Sequence, residues 1–237
     1  MKRILLIFSL LLTLDAFAQE QLLRMPQRGF NPPKEVRSSP LYEKKIIIFG
    51  DSYVQNAGRP IEETWHYKLA EKYNMEYHNW GRNGNCLAYE WKTNQFGRPM
   101  YERYTELPDT DVDYVIIIGG HNDAVLMARY GVDTEFFRSR LGLLCAGLKR
   151  KFPSARICFF TPWAVPKPMY PETVQAMKEV CGEYGIPVYD AAHRSGIFVR
   201  FRPFRAHYFQ AADDLAHLNA KGHDLFLRRI EPFFLGL

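Results

Sequence analysis

The sequence predicts an α/β domain of three layers, with helices on both faces of a central, mostly parallel sheet. Short apolar runs without polar alternation recur along the chain, and strands buried on both faces carry that signature. Stretches with apolar residues at helical spacing lie between them. Strand and helix therefore alternate, which calls for right-handed crossovers between parallel strands.

The composition fits one sizeable core: 237 residues, 47% hydrophobic and 24% charged. Lys2 and Arg3 precede an apolar run over residues 4–14 that ends in Ala16-Phe17-Ala18. A charged start, a short apolar stretch and an A-x-A site predict a secretory signal over residues 1–18, because a spanning helix needs about 20 apolar residues. The protein is thus expected to be secreted or periplasmic after cleavage near Ala18. No Cys directly follows that site, so no stable membrane anchor is expected. Residues 19–42 are polar and broken by Pro26, Pro32, Pro33 and Pro40, and predict an extended N-terminal arm. The folded domain is expected over residues 43–237.

The first strand is read at residues 44–50, where Ile46-Ile47-Ile48-Phe49 ends in Gly50. Residues 75–80 supply a second. The most hydrophobic strand follows at residues 114–118, before Gly119-Gly120, and two shorter ones at residues 157–160 and 186–189. Helical stripes are Trp65, Leu69 and Tyr73; Phe136, Phe137, Leu141, Leu144, Cys145 and Leu148; Val174, Met177 and Val180; and Leu225, Phe226 and Ile230. All are read as core packing.

A net charge of +5 with no long Lys/Arg run predicts no nucleic-acid partner. Cys86, Cys145, Cys158 and Cys181 lack C-x-x-C spacing, which leaves neither a zinc knuckle nor a thioredoxin-type motif. Export permits disulfides among them without requiring any. Cys158 and Cys181 lie in apolar surroundings and read as core residues. Nothing in the sequence specifies an oligomeric state.

Open α/β sheets place their sites at the carboxyl ends of strands. The unusual residues fall there. Gly50-Asp51-Ser52 puts a hydroxyl at a strand end, where Asp and Ser ordinarily cap a helix but where a nucleophile could equally stand. Asn79-Trp80-Gly81-Arg82-Asn83-Gly84 is either a turn or a place where backbone approaches a ligand. In Gly119-Gly120-His121-Asn122-Asp123, an Asn amide could donate to an oxyanion while Asp123 orders the loop or caps a helix. In Asp214-Leu215-Ala216-His217, an Asp three residues ahead of a His can bond one ring nitrogen and aim the other at a nucleophile. The same D-x-x-H spacing recurs as Asp190-Ala191-Ala192-His193, and spacing alone does not choose. Asn219 as a helix cap and Gly222 in the first turn favour the later pair.

In this order the four pieces resemble the SGNH (GDSL-type) hydrolase family of esterases and lipases, over residues 50–222. The resemblance implies a flavodoxin-like sandwich in which Ser52 is the nucleophile and His217 with Asp214 completes the catalytic set. It also implies an oxyanion hole from the N–H groups of Ser52 and Gly84 and the Asn122 amide. The residues themselves point to the same chemistry: Ser52 attacks an ester carbonyl as His217 removes its proton, and water then hydrolyses the acyl-Ser52. No metal or organic cofactor is called for. Tyr53 stands where the family commonly has Leu, and Leu218 where it often has Pro. Both departures bear on the lipase branch and not on hydrolysis.

The expected function is an exported serine esterase acting on a small-molecule or polysaccharide ester, with acetyl groups on carbohydrate as the leading substrate. Lipid esterase, lysophospholipase or thioesterase activity is the alternative within the same chemistry. A non-catalytic carbohydrate-binding protein is the alternative of another class. A metal site formed by His121, Asp123, Asp214, His217 and His223 is permitted by residue type but follows no recognised spacing. His66, His78 and His207 read as surface or structural. Residues 198–205 interleave Arg with Phe, so Arg200 and Arg202 are candidate substrate contacts in the cleft wall, together with Tyr53 and His121 beside the reacting groups.

Overall fold

The computed structural model describes residues 23–237 except Asn94; the signal expected over residues 1–18 lies outside the described residues. Along the chain run β1 (Leu23–Arg24), α1 (Lys34–Arg37), β2 (Lys45–Gly50), α2 (Ser52–Gln55), α3 (Trp65–Lys72), β3 (Glu76–Gly81), α4 (Met100–Arg103) and β4 (Tyr114–Ile118). There follow α5 (His121–Tyr130), α6 (Thr134–Lys151), β5 (Arg156–Phe160), α7 (Tyr170–Glu183), β6 (Val188–Tyr189), α8 (Ala191–Arg194), α9 (Arg202–Tyr208) and α10 (Ala220–Leu235).

The sheet order is β1-β3-β2-β4-β5-β6, with every pairing parallel except β1 against β3. Alternation along β2 divides the core. Ile46 and Ile48 join one apolar cluster with Leu69 of α3 and Phe226, Ile230 and Phe234 of α10. Ile47 and Phe49 join the other with Leu126 of α5, Leu141 and Leu144 of α6, and Met177 of α7. A strand with every position buried cannot alternate with polar residues, which is why these runs were legible.

The segment expected as an extended arm is stitched to the sheet. Leu23 and Arg24 pair with His78 and Tyr77, the Arg24 guanidinium donates to the Met75 carbonyl at 2.8 Å, and Leu41 is fully buried. All four cysteines are buried thiols.

Candidate active site

The carboxyl ends of β2, β3 and β4 lie side by side, with Gly50 in register with Gly81 on one flank and Ile118 on the other. A Cβ on Gly50 would stand 2.4 Å from the Ile118 carbonyl oxygen, and one on Gly81 2.5 Å from the Gln55 nitrogen. Only glycines let the α2 turn settle onto the strand ends. Asp51 caps that turn by accepting from the Tyr53 N–H at 2.9 Å. Ser52 is therefore the first residue of the turn, and its own N–H has no acceptor within the helix.

The loop before α10 brings a histidine to this serine. The Ser52 hydroxyl and His217 Nε2 are 2.9 Å apart, and His217 Nδ1 lies 2.9 Å from Asp214 Oδ2. The other carboxylate oxygen, Oδ1, accepts from the N–H groups of Ala216 at 2.7 Å and His217 at 3.0 Å. Burial opposes ionisation of Asp214, but the bonds from His217 and from the two backbone N–H groups outweigh it and hold the carboxyl below its usual range. The Trp163 indole N–H donates to the Ala216 carbonyl at 2.7 Å and pins the loop. At its far end the Asn219 side chain caps α10 by accepting from Gly222 N–H at 3.0 Å. A Cβ on Gly222 would meet the Tyr208 carbonyl at 2.1 Å, so the first turn of α10 sits directly on the end of α9.

Asn122, in the first turn of α5, stands beside the same strand ends. Its amide donates to the Asn85 carbonyl at 2.9 Å and, over 3.4 Å, to Asp51 Oδ2. Gly84 lies in the left-handed region at φ 71°, accepts from the Trp91 indole at 2.8 Å, and has the Phe96 ring where a side chain would be. Asp123 turns away from Ser52. It accepts from the N–H groups of Leu87, Ala88 and Tyr89 at 2.9, 2.8 and 3.3 Å, which ties the Gly84 loop to α5. Burial pushes Asp51 up to about 7 and Asp123 up to about 6.

Sequence reasoning missed two residues below these groups. Arg103, from the single turn α4, is fully buried; it donates to the Trp80 carbonyl at 3.2 and 3.3 Å, to the Gly50 carbonyl at 3.2 Å and to Asn85 Oδ1 at 3.1 Å. Asn85 passes the support on, since its carbonyl holds Asn122. Asn85 adjoins a motif and could have been suspected; nothing local marks Arg103.

The Tyr53 hydroxyl bonds His121 Nδ1 at 3.0 Å, and the Tyr170 hydroxyl approaches the same ring at 3.1 Å. Burial lowers His121 to about 4, so the ring is neutral near pH 7. Beside Ser52 and His217 lies a cavity of about 20 Å³ walled mainly by Trp65, Ile118, Phe160, Trp163 and Phe226.

The remaining candidates stand apart. Asp190 and His193 form a pair of the same local geometry, 2.9 Å from Oδ1 to Nδ1, but the His193 side chain is 69% exposed and the nearby Ser195 hydroxyl accepts instead from the Ile197 N–H at 3.1 Å. Arg200 and Arg202 are exposed and do not border the Ser52 cavity; Arg200 lies on a separate groove with His193 and Phe198. His223 is buried between Trp65 N–H and Asn56 Oδ1, and His66 bonds Tyr77 and Thr64, so both are structural. Among the described residues no three His, Cys, Asp or Glu side chains converge as metal ligands.

Residues 48–225 match the GDSL-like lipase/acylhydrolase family. No curated protein matches the chain. Among solved structures, a protein of Lactobacillus plantarum is 21% identical with a TM-score of 0.69, covering 81% of this chain and 97% of its own. A family two carbohydrate esterase of Clostridium thermocellum is 14% identical with a TM-score of 0.62, covering 82% and 64%. An acetyl xylan esterase is 17% identical with a TM-score of 0.59, covering 80% and 98%. At these identities the likeness is one of fold.

Proposed function

The chain belongs to the GDSL-like lipase/acylhydrolase family, and from that premise we propose that it is an exported serine esterase that removes small acyl groups, acetyl foremost, from carbohydrate. The observation that carries the chemistry is the unbroken chain of hydrogen bonds from Ser52 Oγ through His217 to Asp214. Ser52 attacks the ester carbonyl while His217 Nε2 takes its proton, and Asp214 steadies the imidazolium that forms. The tetrahedral oxyanion is met by the N–H groups of Ser52 and Gly84 and by the Asn122 amide, whose long 3.4 Å contact to Asp51 yields a hydrogen for it. The alcohol leaves with the proton from His217. Water then attacks the acyl-Ser52 carbonyl by the reverse sequence and frees the acid.

The small cavity beside Ser52, closed in by Trp65, Phe160, Trp163 and Phe226, supports a short acyl group. The names of two fold neighbours, a carbohydrate esterase and an acetyl xylan esterase, support carbohydrate as the alcohol. The apolar walls of the cavity are the one feature that favours a lipid ester instead.

A fluorophosphonate should label the purified protein covalently and fail to label Ser52→Ala. Acetyl and propionyl p-nitrophenyl esters should then be turned over faster than octanoyl ones, and acetylated xylo-oligosaccharides should release acetate. Absence of labelling in the folded parent protein would refute the serine mechanism; a preference for octanoyl would move the substrate to lipid. Export rests on residues 1–18, and secreted protein should begin near Gln19 on N-terminal sequencing.

A further inference from the structure

The Arg- and Phe-rich segment after α8 is not used by the ester chemistry. Residues 191–212 include Arg194, Arg200, Arg202 and Arg205 but no Asp or Glu. None of the arginine ion pairs among the described residues involves Arg194, Arg200 or Arg202. The preceding acid, Asp190, is already met by Lys178 at 3.0 Å and His193 at 2.9 Å. A further guanidinium, that of Arg229, lies 3.7 Å from where a Cβ on Gly196 would stand. The segment is net cationic, and the first acids after it are the exposed Asp213 and the His217-bonded Asp214.

Two aromatic rings stand out on it. Phe198 and Phe201, 63% and 60% exposed, are the most exposed large apolar side chains among the described residues. They border a groove of about 240 Å³ that also takes in His193, Ser195 and Arg200. Phe198 is braced edge-on by Phe204, with centroids 5.4 Å apart and rings at 84°. Arg205 fastens the loop beneath by donating to the carbonyls of Val199 and Ala212. The groove adjoins the site: Trp163 and Ala191 wall the Ser52 cavity, and the next residues, Ala164 and Ala192, wall the groove.

We infer that this groove binds an anionic polysaccharide chain, one whose sugars carry carboxylates, and seats it beside Ser52. A fixed, exposed aromatic face stacks on the C–H face of a sugar ring. Unpaired guanidinium forks bond carboxylates in bidentate fashion. A membrane surface would favour a helix with one apolar stripe turned outward. Here the exposed rings precede α9, the helix itself is only seven residues long, and the surface between the rings is concave. Binding does not depend on the esterase reading; only the purpose of seating the chain beside Ser52 rests on it.

The test uses full-length mature Ser52→Ala protein in native gels containing polygalacturonate, neutral xylan or no polymer. Polygalacturonate should retard it, neutral xylan should do so less, and added salt should weaken the effect. Phe198→Ala/Phe201→Ala and Arg200→Gln/Arg202→Gln, checked by circular dichroism, should each weaken retardation at least tenfold; the single Arg200→Gln serves if a double variant fails to fold. Equal mobility with and without polygalacturonate overturns the proposal, as does undiminished retardation of the folded groove variants. Uptake by phosphatidylglycerol vesicles that depends on Phe198 and Phe201, without polygalacturonate binding, would make the face a membrane contact and also overturn it. Turnover of p-nitrophenyl acetate by the parent protein is scored separately. Turnover without retardation removes the groove and spares the esterase; retardation without turnover does the reverse.

Discussion

His193 and His217 stand in the same D-x-x-H pattern, and each bonds its aspartate at 2.9 Å through Nδ1. What separates them is a contact across 165 residues, the 2.9 Å approach of His217 Nε2 to Ser52. Spacing therefore made both pairs visible and could not rank them, whereas the helix cap at Asn219 marked the pair that lies beside Ser52. His217→Ala should lower kcat by about 10³-fold or more and Asp214→Asn by somewhat less, while His193→Ala should change it less than about tenfold. Steady-state kinetics on folded variants check this, and the reverse ranking would transfer the base to His193. Asn122→Ala should cost about 10²–10³ in kcat with little change in KM, because the amide would meet charge that develops only in the transition state. An effect confined to KM would remove Asn122 from the oxyanion site. The single-residue motifs were legible because strand ends are where such sites form. Asn85 and Arg103 were not, since their contacts are long-range and their types are ordinary.

Among the helices that carry no apolar stripe in the sequence, α5 and α9 were hidden for different reasons. In α5 the first turn carries His121, Asn122 and the buried Asp123, polar groups that interrupt the apolar period. In α9 no residue is buried, so there is no apolar stripe to find. The turn α4 shows the energetic weight of a short element. It delivers Arg103 to the carbonyls that end β2 and β3 and to Asn85, and its guanidinium also lies 4.5 Å from the Phe49 ring. Arg103→Met would remove all of these charge-assisted bonds and leave Asn85 Oδ1 without a donor, while the Gly50 carbonyl keeps the Arg82 N–H at 3.0 Å; hydrogen bonds to charged donors are worth about 1.5–3 kcal/mol each. We expect a loss of about 3 kcal/mol or more in unfolding free energy, read as a lower urea midpoint at constant slope. A loss below about 1 kcal/mol would show that water satisfies the strand ends.

Across the whole molecule, buried titratable groups set a pH dependence. Burial lowers His66 to about 3 and His121 to about 4, and takes His223 well below its usual value. In the unfolded chain all three take up protons below about pH 6.5. Asp51 at about 7 and Asp123 at about 6 act oppositely, since the folded state keeps protons that the unfolded carboxyls release above about pH 4. Between about pH 4.5 and 6 the unfolded chain therefore binds about one proton more than the folded one, and stability should fall on acidification by about 1 kcal/mol per pH unit. Below about pH 4, protonation of Asp190 and Asp214, both held low by their partners, steepens the fall. Urea midpoints at pH 6 and 4.5 test the sign; a higher midpoint at 4.5 would mean that the two aspartates outweigh the three histidines. The layered architecture was legible because its strands are buried on both faces. The β1 pairing was not, because two residues in a proline-broken segment carry no period.

The outer strands β1 and β6 each contribute only two residues to the sheet. An exposed edge recruits another chain in proportion to the length of unpaired backbone it offers, and short edges are one way in which natural proteins resist fibril growth and strand exchange. The strongly apolar β2 and β4 would be potent templates if uncovered, yet each is flanked on both sides, and β6 covers the Phe159–Phe160 end of β5. Self-association through strand addition to the folded chain is thereby limited to short stretches of edge. The N-terminal segment, by laying Leu23 and Arg24 against β3, guards the side on which β3 would otherwise stand bare.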